Sequence, residues 1–66
     1  MKVWKIYRFG QLVREVNGDE RKLLEWIQSN VPAANKSGIR TGDVLFNKYL
    51  LYEDARKAGF TINSRK

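Results

Sequence analysis

Residues 3–30 read VWKIYRFGQLVREVNGDERKLLEWIQSN, and this stretch decides the fold. Its first half holds two runs rich in β-branched and aromatic residues, VWKIY at 3–7 and LVREV at 12–16. Such runs are typical of strands. Gly10, between them, can adopt the left-handed conformation of a turn closed by a glycine bulge. The sequence therefore predicts a β-hairpin over residues 3–16, with Phe9 at its tip, either folded back onto the sheet or exposed.

The second half of this stretch predicts a helix. Asn17 or Asp19 can accept hydrogen bonds from the first free backbone N–H groups of a helix. The run LLEWI at 23–27 places apolar side chains on one helical face. Because a residue before proline is disfavoured in a helix, Val31 before Pro32 ends this helix near Asn30. We expect Trp4 and Trp26 to form the two halves of the core, strand against helix.

The region after this helix begins with a loosely patterned segment. Pro32 can open a short second helix, and Gly38 can cap its C-terminal end. Residues 39–43 then look like a turn.

Residues 44–52, VLFNKYLLY, fit two structures. They can form a second hairpin that turns at residues 47–48, or a helix that begins at Asp43. We favour the hairpin, because a helix here would be apolar almost all round and a short chain could not bury it. Under both interpretations residues 53–58 are helical, and Gly59 ends the helix.

The predicted fold class follows from these elements. It is α+β, with a small antiparallel sheet of the N-terminal hairpin and the second hairpin, packed on one main amphipathic helix with short additional helices. The chain has 66 residues, which is enough for one domain. We expect that domain to span residues 1–60 and to be followed by a flexible basic tail at 61–66.

The composition argues against catalysis and metal binding. The chain has no histidine and no cysteine, so the common nucleophile–base pairs and zinc signatures are absent. Its carboxylate pairs, 19–20 and 53–54, are both predicted at helix starts, where acids favour the helix dipole. We therefore expect a protein that is not an enzyme and has no cofactor and no metal. Early charges and the lack of a long apolar run predict a cytoplasmic protein without membrane association.

Charge points to a polyanionic partner. Thirteen Lys and Arg against seven Asp and Glu give a net charge of +6. Residues 1–14 and 31–66 carry +4 each, whereas residues 15–30 carry −2. The main helix is thus a poor candidate for entering a DNA groove, and strands, loops and tail are better ones.

Two groups of basic and polar residues are candidate binding surfaces. The first combines cations with neutral phosphate donors in the second half of the chain, and the second is a basic face on the hairpin. The first group is Asn35, Lys36, Arg40, Thr41, Lys48, Arg56, Lys57, Arg65 and Lys66; the second is Lys2, Lys5, Arg8 and Arg14.

Two aromatic residues are candidates for contact with a partner. Phe9 has no evident core role at its turn tip, and Tyr49 could stack on a base or pack against another protein.

The pattern resembles the modular DNA-binding repeats of intron-encoded homing endonucleases and of small phage DNA-binding proteins. The matching stretches are Val3–Val16, Leu23–Ile27, and Gly38-Ile39-Arg40-Thr41-Gly42 leading to Phe46. The resemblance implies a phage or mobile-element origin. It also implies DNA contact through the second short helix and the basic turn after it, at Asn35, Lys36, Arg40 and Thr41.

The sequence thus predicts a small nucleic-acid-binding module, with DNA favoured over RNA and either a monomeric or a homodimeric state. The alternative is a protein-interaction module, for instance a phage factor that binds an acidic surface of a host protein. Its mark would be an exposed apolar patch containing Phe9 or Tyr49, larger than a few hundred Å², with scattered bases.

Overall fold

A computed structural model describes residues 2–65, without the side chain of Arg65. Across this range three strands form one antiparallel sheet, and three α-helices and a short 3₁₀ turn complete the chain. The predicted α+β class is confirmed. In chain order the elements are β1 (Val3–Arg8), β2 (Gln11–Asn17), α1 (Glu20–Asn30), α2 (Pro32–Lys36), the 3₁₀ turn (Thr41–Asp43), α3 (Lys48–Lys57) and β3 (Phe60–Arg65).

The N-terminal hairpin is confirmed. β1 and β2 pair from Val3 opposite Asn17 to Ile6 opposite Arg14, and the register then shifts by one residue. Phe9 and Gly10 form the turn with φ of 51° and 85°. Gly10 adopts the left-handed conformation expected of it, and Phe9 shares it, which is unusual for a residue with a side chain.

The ends of α1 follow the predicted signals. The Asp19 carboxylate accepts a hydrogen bond from the Lys22 backbone N–H at 3.2 Å, which caps the helix. The helix ends at Asn30, and Val31 is extended, as expected before Pro32. Pro32 then opens α2 as predicted.

The predicted hairpin over residues 44–52 is wrong. Residues 44–47 form turns that lead into α3 at Lys48, so the helical alternative describes most of this run. Val44 and Leu51 are buried, whereas their apolar neighbours face solvent. The preference for a hairpin assumes that a helix here must be buried on every side, but the protein leaves one side of this run exposed to solvent.

The predicted flexible tail is also wrong over residues 61–65, which lie in β3. β3 pairs with β1 on the side opposite β2, with Ile6 facing Ile62, so β1 is the central strand. Phe60 and Ile62 pack against the core, while Thr61 and Asn63 alternate with them, as the two faces of a strand require. Lys66 lies outside the described residues.

The helices cover one face of the sheet. Trp4 and Ile6 of β1 point into the core, whereas Trp26 is only half-buried and packs edge-on against Phe60 at 5.8 Å. The two tryptophans are therefore not equal halves of the core. The buried residues are Trp4, Ile6, Leu23, Leu24, Ile27, Val31, Ala34, Val44, Leu51 and Ala55.

None of the helices within residues 2–65 is long and apolar enough to cross a membrane.

The hairpin turn is held against the end of α3. The Phe9 backbone N–H donates to the Gly59 carbonyl at 3.3 Å. The Arg8 guanidinium lies 5.4 Å from the centre of the Phe9 ring and 5.2 Å from that of Phe60. Gly59 has φ of 92°, and a Cβ there would lie 2.5 Å from the Phe9 ring. Phe9 thus folds back beside Gly59, although its side chain stays 81% exposed.

We expect Gly59→Ala to destabilise the protein more than Gly38→Ala. Both glycines have positive φ, which costs about 1–2 kcal/mol with a side chain. Only at Gly59 must the Phe9 ring also move, and because this ring is largely exposed the move adds no more than about 1 kcal/mol. Urea unfolding of the two variants measures the difference, which should shrink when Phe9→Ala is also present. Equal losses for the two alanines would contradict the contact.

A second contact joins α1 to α3. The Tyr52 hydroxyl donates to the Glu20 carboxylate at 2.6 Å, in a partly buried position. Burial, followed by this hydrogen bond and the charge of Glu20, raises the pKa of Tyr52 well above its ordinary value. The folded protein therefore keeps the phenol proton at a pH where the unfolded chain loses it.

This contact predicts a pH dependence of stability. The contribution of Tyr52 is complete below the ordinary tyrosine pKa of about 10 and is lost as pH rises towards the higher folded pKa. The free energy of unfolding should therefore fall more steeply above pH about 10 in the wild type than in Tyr52→Phe. At neutral pH the variant should lose about 1 kcal/mol with the hydrogen bond. Denaturant titrations across this pH range test both points, and parallel curves would refute the first.

Candidate nucleic-acid interface

Part of the first predicted surface forms around the connection from α2 to α3. Lys36 ends α2, Arg40 and Thr41 lie at the 3₁₀ turn, and Lys48 begins α3. The connection is anchored to the core, because Ala34, Val44 and Leu51 belong to the buried cluster. We call Lys36, Arg40, Thr41 and Lys48 the connector surface.

Two hydrogen bonds with α1 and one at the end of α2 hold this connection in place. The Gln28 side chain donates to the Ile39 carbonyl at 2.6 Å. The Asn35 side chain donates to the Gln28 carbonyl at 3.3 Å, and Ser37 Oγ donates to the Ala34 carbonyl at 2.6 Å. Asn35, predicted to contact nucleic acid, is therefore used at least partly to position the chain.

The cations of the connector surface differ in how they are paired. Lys36 and Arg40 are exposed, and neither forms an ion pair within residues 2–65. Lys48 lies 3.8 Å from the Glu20 carboxylate, at the distance limit for a salt bridge, and both side chains are about one third exposed. Two of the three cations are thus directly available to an anion.

The other predicted bases lie elsewhere. Arg56 and Lys57 are at the far end of α3, roughly 14 Å along the helix from Lys48. Both pair with Glu53, at 3.2 and 3.7 Å. Arg65 pairs in β3 with Val3, and Lys66 lies outside the described residues. Among the side chains that the structure describes, the predicted residues therefore fall into two separate sets, one at the connection from α2 to α3 and one at the end of α3.

The predicted basic face of the hairpin is divided by the alternation of side chains along a strand. Arg14 and Arg8 lie opposite Ile6 and Phe60 in the register, on the side of the sheet that the helices cover. Lys5 lies on the open side, opposite Glu15. The Lys2 ammonium is 5.1 Å from the centre of the buried Trp4 ring. Successive side chains along a strand point to opposite faces of the sheet, so Lys5 lies on the face opposite to Arg8 and Arg14. The four bases thus do not share a face.

Both predicted acidic pairs belong to helices or their caps. The pair at 19–20 caps and begins α1, as predicted. The pair at 53–54 lies in the middle of α3 rather than at its start, because α3 begins five residues earlier than the hairpin interpretation allowed. In the part of the chain that the structure describes, no three carboxylates cluster so as to hold a metal ion.

The structure reveals an exposed group of apolar side chains that sequence reasoning missed in part. Leu45, Phe46, Tyr49 and Leu50 all face solvent, and we call them the aromatic patch. Phe46 is 92% and Tyr49 79% exposed. Tyr49 is a candidate predicted from the sequence, but Phe46, which the sequence places in the predicted second hairpin, is not. The signal was present, because a helix that is apolar almost all round must expose some of its apolar residues in a small domain.

No protein-family model matches this chain, and neither a curated protein nor a solved structure was found to match it. The resemblance to homing-endonuclease repeats therefore stays a prediction.

The exposure of the aromatic patch has a consequence for stability. Phe46→Ser and Tyr49→Ser should each change the free energy of unfolding by less than about 0.5 kcal/mol, as expected for surface positions. Leu51→Ala, on the buried side of α3, should cost about 2–5 kcal/mol. Urea unfolding measures all three. A large loss for either serine variant would show that the ring contributes to the fold.

Proposed function

We propose that the chain is a small non-enzymatic nucleic-acid-binding module that contacts phosphates through the connector surface. The observation that carries the proposal is the pair of exposed cations, Lys36 and Arg40, without ion-pair partners in residues 2–65. Thr41 stands beside Arg40 as a neutral donor of the kind that contacts phosphate oxygens. Lys48 can join them, because an exposed ion pair such as that with Glu20 is weak.

The overall charge supports the same partner. The net charge of +6 attracts a polyanion and accelerates encounter at low salt. The segment at 15–30, which includes α1, carries −2, so a nucleic acid is directed away from this helix. The connector surface lies after that segment, where the chain carries +4 over residues 31–66.

DNA is the proposed nucleic acid. The resemblance to modular DNA-binding repeats implies contact through α2 and the turn after it, and Lys36, Arg40 and Thr41 belong to these elements. The same resemblance supports an origin in a phage or mobile element.

Salt titration tests the proposal. Binding of a fluorescently labelled 20-nucleotide DNA, single-stranded or duplex, should weaken linearly in log–log coordinates. The slope should be about −0.7 to −0.9 per phosphate neutralised. Lys36→Gln with Arg40→Gln should make the slope shallower by about 1.4–1.8.

A matched control separates position from charge. Arg56→Gln with Lys57→Gln removes the same two charges from the far end of α3, where both bases pair with Glu53. This variant should bind almost as the wild type does. Absence of binding to either form of DNA at low salt would overturn the proposal, and equal losses for both double variants would overturn the assignment to the connector surface.

A further inference from the structure

The aromatic patch is not explained by the fold. The other exposed aromatic ring, that of Phe9, folds back beside Gly59 and Arg8. Phe46 and Tyr49 lie outside the buried cluster and outside the half-buried set that packs on it. With aromatic side chains of roughly 200 Å² each, the 92% exposure of Phe46 and the 79% exposure of Tyr49 leave about 340 Å² open to solvent. The largest apolar patch on a monomeric protein is of about this size and is often functional.

The two rings lie close together in the chain, on either side of Asn47. The Asn47 N–H donates to the Asp43 carbonyl at 3.1 Å, and the Leu51 N–H donates to the Asn47 carbonyl at 3.1 Å. These bonds join the turn at residues 44–47 to α3, whose N-cap is Asn47. Phe46 thus stands just before the first turn of this helix and Tyr49 within it, three residues apart and both exposed.

Cations interleave with these rings. The Lys48 ammonium lies 5.4 Å from the centre of the Tyr49 ring. Arg40 stands before the 3₁₀ turn that leads to Phe46, and α2, which ends at Lys36, packs against α3. The surface therefore offers flat apolar faces for stacking and positive charges for phosphates along one stretch of chain, residues 36–50.

This combination matches single-stranded nucleic acid better than duplex. Unpaired bases present π-faces that stack on aromatic side chains, whereas a duplex hides those faces between its base pairs. A groove reader would need a basic helix that can enter the groove, and α2 has five residues while the segment holding α1 carries −2.

A second copy of the chain fits the patch poorly. Two molecules that each carry +6 repel one another. The exposed area of the two rings is also well below the roughly 800 Å² that each partner buries in a stable interface.

On these grounds we infer that the chain binds single-stranded nucleic acid, with Phe46 and Tyr49 as stacking platforms for successive bases and the connector surface holding the backbone. The inference rests on the proposed nucleic-acid binding and specifies its ligand class.

The test compares a 12-nucleotide single strand of mixed sequence with a hairpin duplex carrying the same sequence, by fluorescence anisotropy at low salt. The single strand should bind at least tenfold more tightly. Phe46→Leu and Tyr49→Leu keep apolar area but remove the planar ring. Each should weaken single-strand binding about tenfold, the loss of one stacked base, and leave duplex binding unchanged. Circular dichroism confirms that the variants fold.

Tyr7→Leu is the matched control. Tyr7 lies on the open face of the sheet, which would be the platform if bases stacked there instead, and its replacement should leave affinity unchanged.

The outcomes separate the inference from the proposed function. Duplex binding as tight as single-strand binding, still dependent on Lys36 and Arg40, would overturn the inference alone. Leucine variants that bind single strands like the wild type would also overturn it, and would assign the patch to a protein partner. Loss of affinity in Tyr7→Leu would overturn the assignment to this surface. Failure to bind either nucleic acid would overturn the proposed function with it.

Discussion

The structure depends on how little interior a chain of 66 residues can enclose. A domain of this size buries only about 60% of the surface that its unfolded chain exposes. The helices cover one face of a three-stranded sheet, and the buried cluster centres on Trp4 and Ile6 of β1 with Leu23, Leu24 and Ile27 of α1. Every other element is arranged around this contact. Apolar residues that it cannot accommodate must lie on the surface, and the aromatic patch contains four of them.

The same shortage of interior explains why the chain ends in the sheet. β1 is buried on the face that the helices cover. If it paired with β2 alone, its other edge would present a row of unpaired backbone N–H and C=O groups. β3 pairs with that row and adds Phe60 and Ile62 to the edge of the core. The contacts of Phe9 with Gly59 and of Arg8 with Phe60 then join the hairpin turn to the corner between α3 and β3. Residues from the two ends of the sequence thus complete one three-stranded sheet.

The elements that sequence predicted correctly are those with strong local signals. The hairpin has two β-rich runs and a turn glycine, and α1 has its cap at Asp19 and its stop before Pro32. The errors fall where tertiary contacts decide. The sequence pattern at 44–52 also fits a hairpin, but in the protein Val44 reaches the core from a turn and Leu51 from a helix. β3 is polar at alternate positions and resembles a tail until β1 is available to pair with it.

The candidate site was predictable in the same uneven way. Lys36, Arg40 and Thr41 could be found, because a basic and polar turn between helices is visible in the sequence. Separating them from Arg56 and Lys57 required knowing that α3 places the two sets apart along its length. The exposure of Phe46 could not be inferred from residue type, since an isolated phenylalanine is more often buried than not.

Glu20 links the stability of the fold to the candidate site. It accepts the Tyr52 hydroxyl at 2.6 Å and lies 3.8 Å from Lys48, so it meets α3 at two positions one turn apart. The two contacts differ in strength, because a short, partly buried hydrogen bond to a carboxylate stabilises more than an exposed ion pair near its distance limit. Lys48 can therefore turn from Glu20 to a phosphate while Tyr52 keeps α3 in position. Lys36 and Arg40 need no such exchange, because neither has an ion-pair partner within residues 2–65.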